Sequence, residues 1–300
     1  MIYDLKMEKK NKIDTFGAIA LISFSLLLGI NHVVIKIVND GLNPIFFAGI
    51  RSFIAFLFII IWMKITKKTI VFNTKNKIIC LVAGLVFALE FLFLFLALDF
   101  TSVSRNSIIY YSMPLWLTIL LFFTKNKENL SFIKLFGLIL AFSGVVISVY
   151  NNDTGLIINS SSLFGDFLAF LAALFWALLI IIAKNSNFNK ETPEMQLLWM
   201  VMVSGPILIC FSFFIENPIR DFQIIHFWGL LFQSIVVVAG GFLFWLWLLS
   251  KYPASGVASF SFLTPIFTIF FGWLILSEVM TPDFLFAAFL VIIGLILINK

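Results

Sequence analysis

Residues Pro114 to Gly144 read PLWLTILLFFTKNKENLSFIKLFGLILAFSG, and residues Pro265 to Gly294 read PIFTIFFGWLILSEVMTPDFLFAAFLVIIG. Both place a proline inside an apolar run, then an acid with a hydroxyl residue close behind it (Glu128 with Ser131, Glu278 with Thr281), then a glycine in the next apolar run. Acid and glycine are 16 positions apart in each copy. Upstream, Phe16, Gly17 and Lys36 return as Phe164, Gly165 and Lys184 at an offset of 148, and Pro44 returns as Pro193 at 149. A unit written twice predicts two structural repeats with a site between them that can be opened to either side in turn.

The chain around these copies is 62% hydrophobic and 12% charged, with a mean hydropathy of +1.10. Soluble domains carry about 25% charge, so this composition predicts a chain that lives in a bilayer. Ten apolar runs are long enough, or nearly so, to cross it: Phe16 to Ile35, Pro44 to Met63, Ile78 to Leu98, Asn106 to Phe123, Phe132 to Tyr150, Phe164 to Ala183, Met195 to Ile215, His226 to Leu249, Ser255 to Leu276 and Asp283 to Ile298. Their hydrophobicity is continuous and does not alternate, which excludes barrel strands. Met1 to Asp14, with four lysines, begins like a signal peptide, but the run that follows has full spanning length and no small-residue cleavage site before Asn31 and His32, so it reads as the first transmembrane helix.

The net charge of +5 sits in short loops beside apolar runs, not on a patch interleaved with aromatics, which argues against nucleic acid as a partner. With the N-terminus inside, inner segments hold sixteen lysines and arginines and outer loops three, so both termini are expected in the cytoplasm of a cell whose inner membrane holds the chain. Five spans per repeat is an odd number, and the second copy must then enter from the opposite side. The expected layout is a cytoplasmic segment 1–15, a first repeat 16–150, an outer linker 151–163 and a second repeat 164–300. The fold class is all-α integral membrane, ten transmembrane helices as two inverted five-helix repeats. Cys80 and Cys210 lie in or beside apolar runs and read as small buried hydrophobes.

The order and doubling of these marks resemble the drug/metabolite transporter superfamily, in its EamA branch of ten-helix carriers. The marks are Pro44 with Arg51, the phrase Ala97-Leu98-Asp99-Phe100-Thr101-Ser102, Pro114, Glu128, and Gly137 with Gly144, echoed by Pro265, Glu278 and Gly294. The resemblance implies movement of a small organic solute, amino-acid-like or otherwise amphipathic, by alternating access, with export as the family's habit. It names no solute. Met200 stands near where the second copy would match Arg51, so the halves differ chemically.

Ionisable groups inside spans cost about 2.5 to 3.5 kcal/mol on insertion scales and are functional candidates by default. Glu90 and Arg51 lie at matched depth. Either Glu90 faces a central cavity and holds a substrate ammonium or a coupling proton, with Arg51 on a carboxylate, or the two form a buried pair that fixes two helices. Asn31 and His32, read near the outer end of the first span, are a packing pair or a step on a proton path. Pro114 and Pro265 open the helix ladder in corresponding spans. Tyr110, Tyr111, Trp116, Phe260 and Phe262 are candidates for a cavity wall, as are Trp176, Trp245 and Trp247, which lie away from the interfacial belt. Lys36 and Lys184 read as headgroup anchors. No cofactor or metal motif is present: the two histidines, His32 and His226, are far apart, and Asp166 stands where a helix-capping acid would. An importer or exchanger of a charged metabolite, and a membrane scaffold or sensor that moves nothing, stay open beside the exporter. Oligomeric state is not legible.

Overall fold

The computed structural model describes residues 10–72, 75–101, 103–124, 131–150, 160–214, 217–277 and 283–299. Glu128, Glu278 and Thr281 lie outside them. The chain is an all-helical membrane protein with ten apolar segments, seven long enough to cross a bilayer and three shorter among the described residues. In order these are α1 (Thr15–Gly41), α2 (Pro44–Ile65), α3 (Lys77–Phe100), a broken fourth segment of α4 (Val103–Tyr110) and α5 (Met113–Phe122), α6 (Phe132–Tyr150), α7 (Ser160–Asn185) and α8 (Pro193–Ser212). The eighth joins α9 (Ile224–Leu231) through a π-helical stretch, Phe232–Phe242, to α10 (Leu243–Lys251). The ninth joins α11 (Ala254–Ser259) through a tight turn, Phe260–Phe262, to α12 (Leu263–Leu276), and α13 (Asp283–Ile298) is the tenth.

Helix is the form these residues take because hydrocarbon offers no partner for an open backbone group. The starts are set by polar residues followed by proline. Asn43 accepts from the Ile45 and Phe46 amides at 2.9 and 3.3 Å ahead of Pro44, and Thr192 accepts from the Met195 amide at 3.4 Å ahead of Pro193. Both prolines sit in the first turn, where a missing N–H costs nothing. Pro114 and Pro265 behave alike. The fourth span is interrupted at Tyr111 and Ser112 and restarts with Pro114 in its first turn; the ninth is interrupted at Phe260–Phe262 and restarts with Pro265 in its first turn. The break therefore precedes each proline.

Two pairs of corresponding helices, α6 with α13 and α2 with α8, pack against each other antiparallel. A Cβ added at Gly137 would lie 2.8 Å from the Gly294 carbonyl oxygen, and one at Gly144 would lie 2.8 Å from that of Ala287. Shifting by 150 positions turns Gly137 into Ala287 and Gly144 into Gly294, so the two contacts exchange. Likewise a Cβ added at Gly49 of α2 would lie 2.7 Å from the Ile209 amide nitrogen of α8, and one at Gly205 would lie 3.2 Å from that of Phe53. Between helices in lipid there is little hydrophobic drive, and small residues that let backbones close up supply the packing. Large apolar side chains are exposed around the bundle, among them Ile78, Phe132 and Phe214, as a surface solvated by acyl chains must be.

Each end of the bundle is tied by polar contacts between copies. At one end Asp14 caps α1, pairs with Lys10 and accepts the Tyr252 hydroxyl at 2.6 Å, and Lys68 pairs with Glu194 at 3.2 Å. At the other, Arg220 grips Asp99 through both guanidinium arms at 2.6 and 3.2 Å and donates to the Asn39 carbonyl at 3.1 Å. There the Asn43 amide donates to the Pro218 carbonyl at 2.9 Å, and Thr101 donates to Asp166 at 3.0 Å.

Four sequence expectations change. The first helix runs six residues beyond Ile35, to Gly41, which leaves Asn31 and His32 inside it and not near its end. Asp166 lies within α7, in its second turn, and accepts the Thr101 hydroxyl. Lys184 donates to the Leu249 and Tyr252 carbonyls at the end of α10 in place of reaching for headgroups. Cys80 is buried as expected, whereas Cys210 is exposed.

Candidate functional site

Helical spacing puts Phe87, Glu90, Phe91 and Leu94 on one face of α3, and Phe24, Leu28, Asn31 and His32 on one face of α1. These faces meet the break in the fourth span, where Tyr110 ends α4 and Tyr111 begins the turn. Trp176 of α7 and Trp245 of α10 close the ring. Together they enclose a cavity of about 40 Å³, lined also by Met200 and Phe242. Of the residues singled out in the sequence, Asn31, His32, Glu90, Tyr110, Tyr111, Trp176 and Trp245 line it.

Two tyrosine hydroxyls organise its polar groups. Tyr110 donates to Glu90 Oε1 at 2.7 Å, and the Tyr111 hydroxyl shares a 2.6 Å hydrogen bond with His32 Nε2. Trp176 stacks on Tyr110 with centroids 4.9 Å apart and planes at 18°, and meets Tyr111 edge-on at 5.8 Å. Glu90 Oε2, His32 Nδ1 and Asn31 Oδ1 are buried without a hydrogen-bond partner. Each such atom costs about 1–3 kcal/mol. Three of them share this one cavity.

Arg51 is fully buried at 0% exposure, yet it stands outside the cavity lining and makes no ion pair with Glu90 within 4.0 Å. Its guanidinium lies over the rings of Phe91 and Phe95, 4.1 and 4.8 Å from their centres, and donates to Gln233 Oε1 at a long 3.4 Å. Gln233 in turn donates to the Asn31 carbonyl at 3.1 Å. Arg51 is thus held by this stack beside the cavity, with no ion pair to Glu90. Pro114 and Pro265 are also absent from the lining; they shape the breaks beside it. Trp116 donates to Ser112, and Trp247 packs on Phe16. Phe260 lines a small side space that shares Phe24, Trp176 and Trp245 with the cavity.

Sequence reasoning missed Phe24, Phe87, Phe91, Phe242 and Gln233. For Phe87 and Phe91 a signal existed, since they flank Glu90 at helical spacing; among 39 phenylalanines it was hard to see. For Phe242 none existed, because its direction is set by the π-helical stretch. Toward the Asp14 end, Leu246 separates the cavity from a polar vestibule of about 270 Å³ lined by Lys184, Glu191, Thr192 and Gln196. Toward the Arg220 end, the contacts of Arg220, Asn43 and Thr101 close the bundle.

The family model for the EamA-like transporter family matches this chain twice, at residues 15–150 and 163–300. The chain is 26% identical to the uncharacterized transporter YoaV of Bacillus subtilis (strain 168), across 92% of its own length and 94% of the relative's. It is also 26% identical to a probable amino-acid metabolite efflux pump of Escherichia coli (strain K12), across 93% of each. A solved crystal structure superposes with a TM-score of 0.79 over 95% of this chain and 97% of the other at 13% identity, a likeness of fold.

Proposed function

The chain belongs to the EamA-like transporter family, and from that premise we propose that it is a secondary carrier moving a small organic metabolite by alternating access through the cavity at Glu90. As a membrane transporter its partners are a solute and the lipid bilayer. The observation that carries the reading is a buried carboxylate with one unpartnered oxygen in an aromatic cavity between two repeats, with inter-repeat contacts such as Arg220 to Asp99 at one end of the bundle. A carrier needs such a site reachable from one side at a time.

We place 1–15 and both termini in the cytoplasm on lysine and arginine counts, with repeats at 16–150 and 164–300 joined by an outer linker 151–163. On that orientation the vestibule faces inward and the Arg220 contacts form an outer gate. Solute then enters from the cytoplasm and leaves outward, a direction supported by the name of the Escherichia coli relative. The site residues are Glu90, Asn31, His32, Tyr110, Tyr111, Trp176 and Trp245, with a coupling proton on Glu90. Purified protein in proteoliposomes loaded with a metabolite pool provides the test: gradient-dependent loss of at least one solute is expected. Absence of any flux from folded protein under either gradient direction would overturn the proposal and favour a scaffold.

A further inference from the structure

The geometry points to a cationic amine as the ligand of the central cavity: Glu90 Oε2 takes the ammonium, and the faces of Trp176, Tyr110 and Trp245 take the group that carries it. The inference rests on the transport reading and names the substrate class of the same site. Four observations converge. Glu90 is 2% exposed, and its Oε1 is fixed by Tyr110 while Oε2 is left without a partner. The other unpartnered oxygen of the cavity, Asn31 Oδ1, is an acceptor as well, matching a group with several N–H donors. Among the described residues no lysine or arginine lines the wall: Arg51 lies behind Phe91, so a carboxylate entering the cavity meets no cation directly, whereas Glu90 is on the wall itself. Aromatic faces attract cations through their quadrupole, most strongly where water is excluded.

Size agrees with this division. About 40 Å³ has room for an ammonium with space beside it, since a single water needs about 10–15 Å³. The apolar remainder lies toward the side space that shares Phe24, Trp176 and Trp245, and Leu246 must move for it to pass to the vestibule. An amino acid presents the same ammonium but carries a carboxylate into a wall that already holds one. The cavity therefore ranks amine above zwitterion, and zwitterion above anion.

Three probes of one shape test this: phenethylamine, phenylalanine and phenylpropionate, with tritiated phenethylamine bound to the purified full chain at pH 7 and competed by the others. The expected result is amine binding at least tenfold tighter than either competitor, and a further loss of at least tenfold in Glu90→Gln. Equal or better competition by phenylalanine or phenylpropionate, no amine binding up to millimolar concentrations, or unchanged binding in folded Glu90→Gln would overturn the assignment. Should that variant not fold, the ranking on the unaltered protein decides alone. Flux of the same probes in proteoliposomes separates the two readings. Amine that binds without crossing counts against transport and leaves the site standing; phenylalanine that crosses while amine does not bind counts against the amine and leaves transport standing.

Discussion

Gly137 and Gly294 approach so closely that a Cβ on either would press on the other's carbonyl oxygen, at 2.8 and 2.6 Å. This seam between the two copies is backbone against backbone, and backbone cannot yield as a side chain does. Gly294→Val is expected to destabilise the fold by about 1–3 kcal/mol, the usual cost of overpacking, read as a lower midpoint of thermal unfolding in detergent. Gly240→Ala is the control, because its Cβ would meet only the Ile235 oxygen at 3.5 Å. Equal midpoints for the two variants would show that the seam is not tight.

Tyr110→Phe keeps the ring on Trp176 and removes the hydrogen bond to Glu90. A bond to a charged group contributes about 1.5–3 kcal/mol, so a fall in flux of roughly tenfold or more is expected at unchanged expression and unfolding midpoint. Trp176→Phe, which preserves the carboxylate's partner, should reduce flux less. The order of the two variants in a single flux assay checks which contact positions the acid.

For Arg51 the expectation is unusual. Its stack on Phe91 and Phe95 depends on a flat guanidinium, and two of its nitrogens have no hydrogen-bond partner. Arg51→Lys loses the stack and keeps the buried charge, whereas Arg51→Met removes both. Lysine should therefore lower stability by about 1–3 kcal/mol and methionine by less, with flux retained in Arg51→Met. Loss of flux in a stable Arg51→Met would return Arg51 to the substrate path.

Arg220 and Asp99 form the proposed outer gate. Asp99→Asn removes the charge that Arg220 grips through both guanidinium arms. A cysteine introduced at Leu28 on the cavity wall, in a background lacking Cys80 and Cys210, should then react several-fold faster with a membrane-impermeant thiol reagent added outside. Exchanging the two residues, Asp99→Arg with Arg220→Asp, should restore slow labelling. Unchanged labelling in Asp99→Asn would remove these residues from the gate.

At the opposite end, pH has a defined effect. The hydrogen bond from Lys10, then that from Tyr252, holds the Asp14 carboxyl well below the ordinary range, and Asp14 in turn raises Lys10. Burial, then the bond to Asp14, raises Tyr252. A depressed acid stabilises above its unfolded value, about 3.9, and loses that contribution as pH falls through the folded value; a raised base stabilises below about 10.4 and loses it as pH rises further. The difference in unfolding midpoint between the unaltered chain and Asp14→Asn should thus be flat from about pH 5 to 9 and shrink beyond either limit. A difference that changes sign near neutrality would mean that Asp14 has another partner.

Helix number, the copies and their mutual inversion follow from composition and spacing, because hydrocarbon admits only helices and an odd number of spans forces the second copy to reverse. Glu90 was legible for the same reason: a carboxylate in an apolar run has few uses there. Composition and spacing thus account for the bundle, the doubling and the acid. Which groups meet that acid was decided only in three dimensions. Tyr110 in place of Arg51, the π-helical stretch that turns Phe242 inward, and the pairs Asp14 with Tyr252 and Asp99 with Arg220 join residues from distant parts of the chain. Local spacing fixes which face of a helix a residue occupies, but what stands opposite depends on how all the helices pack at once.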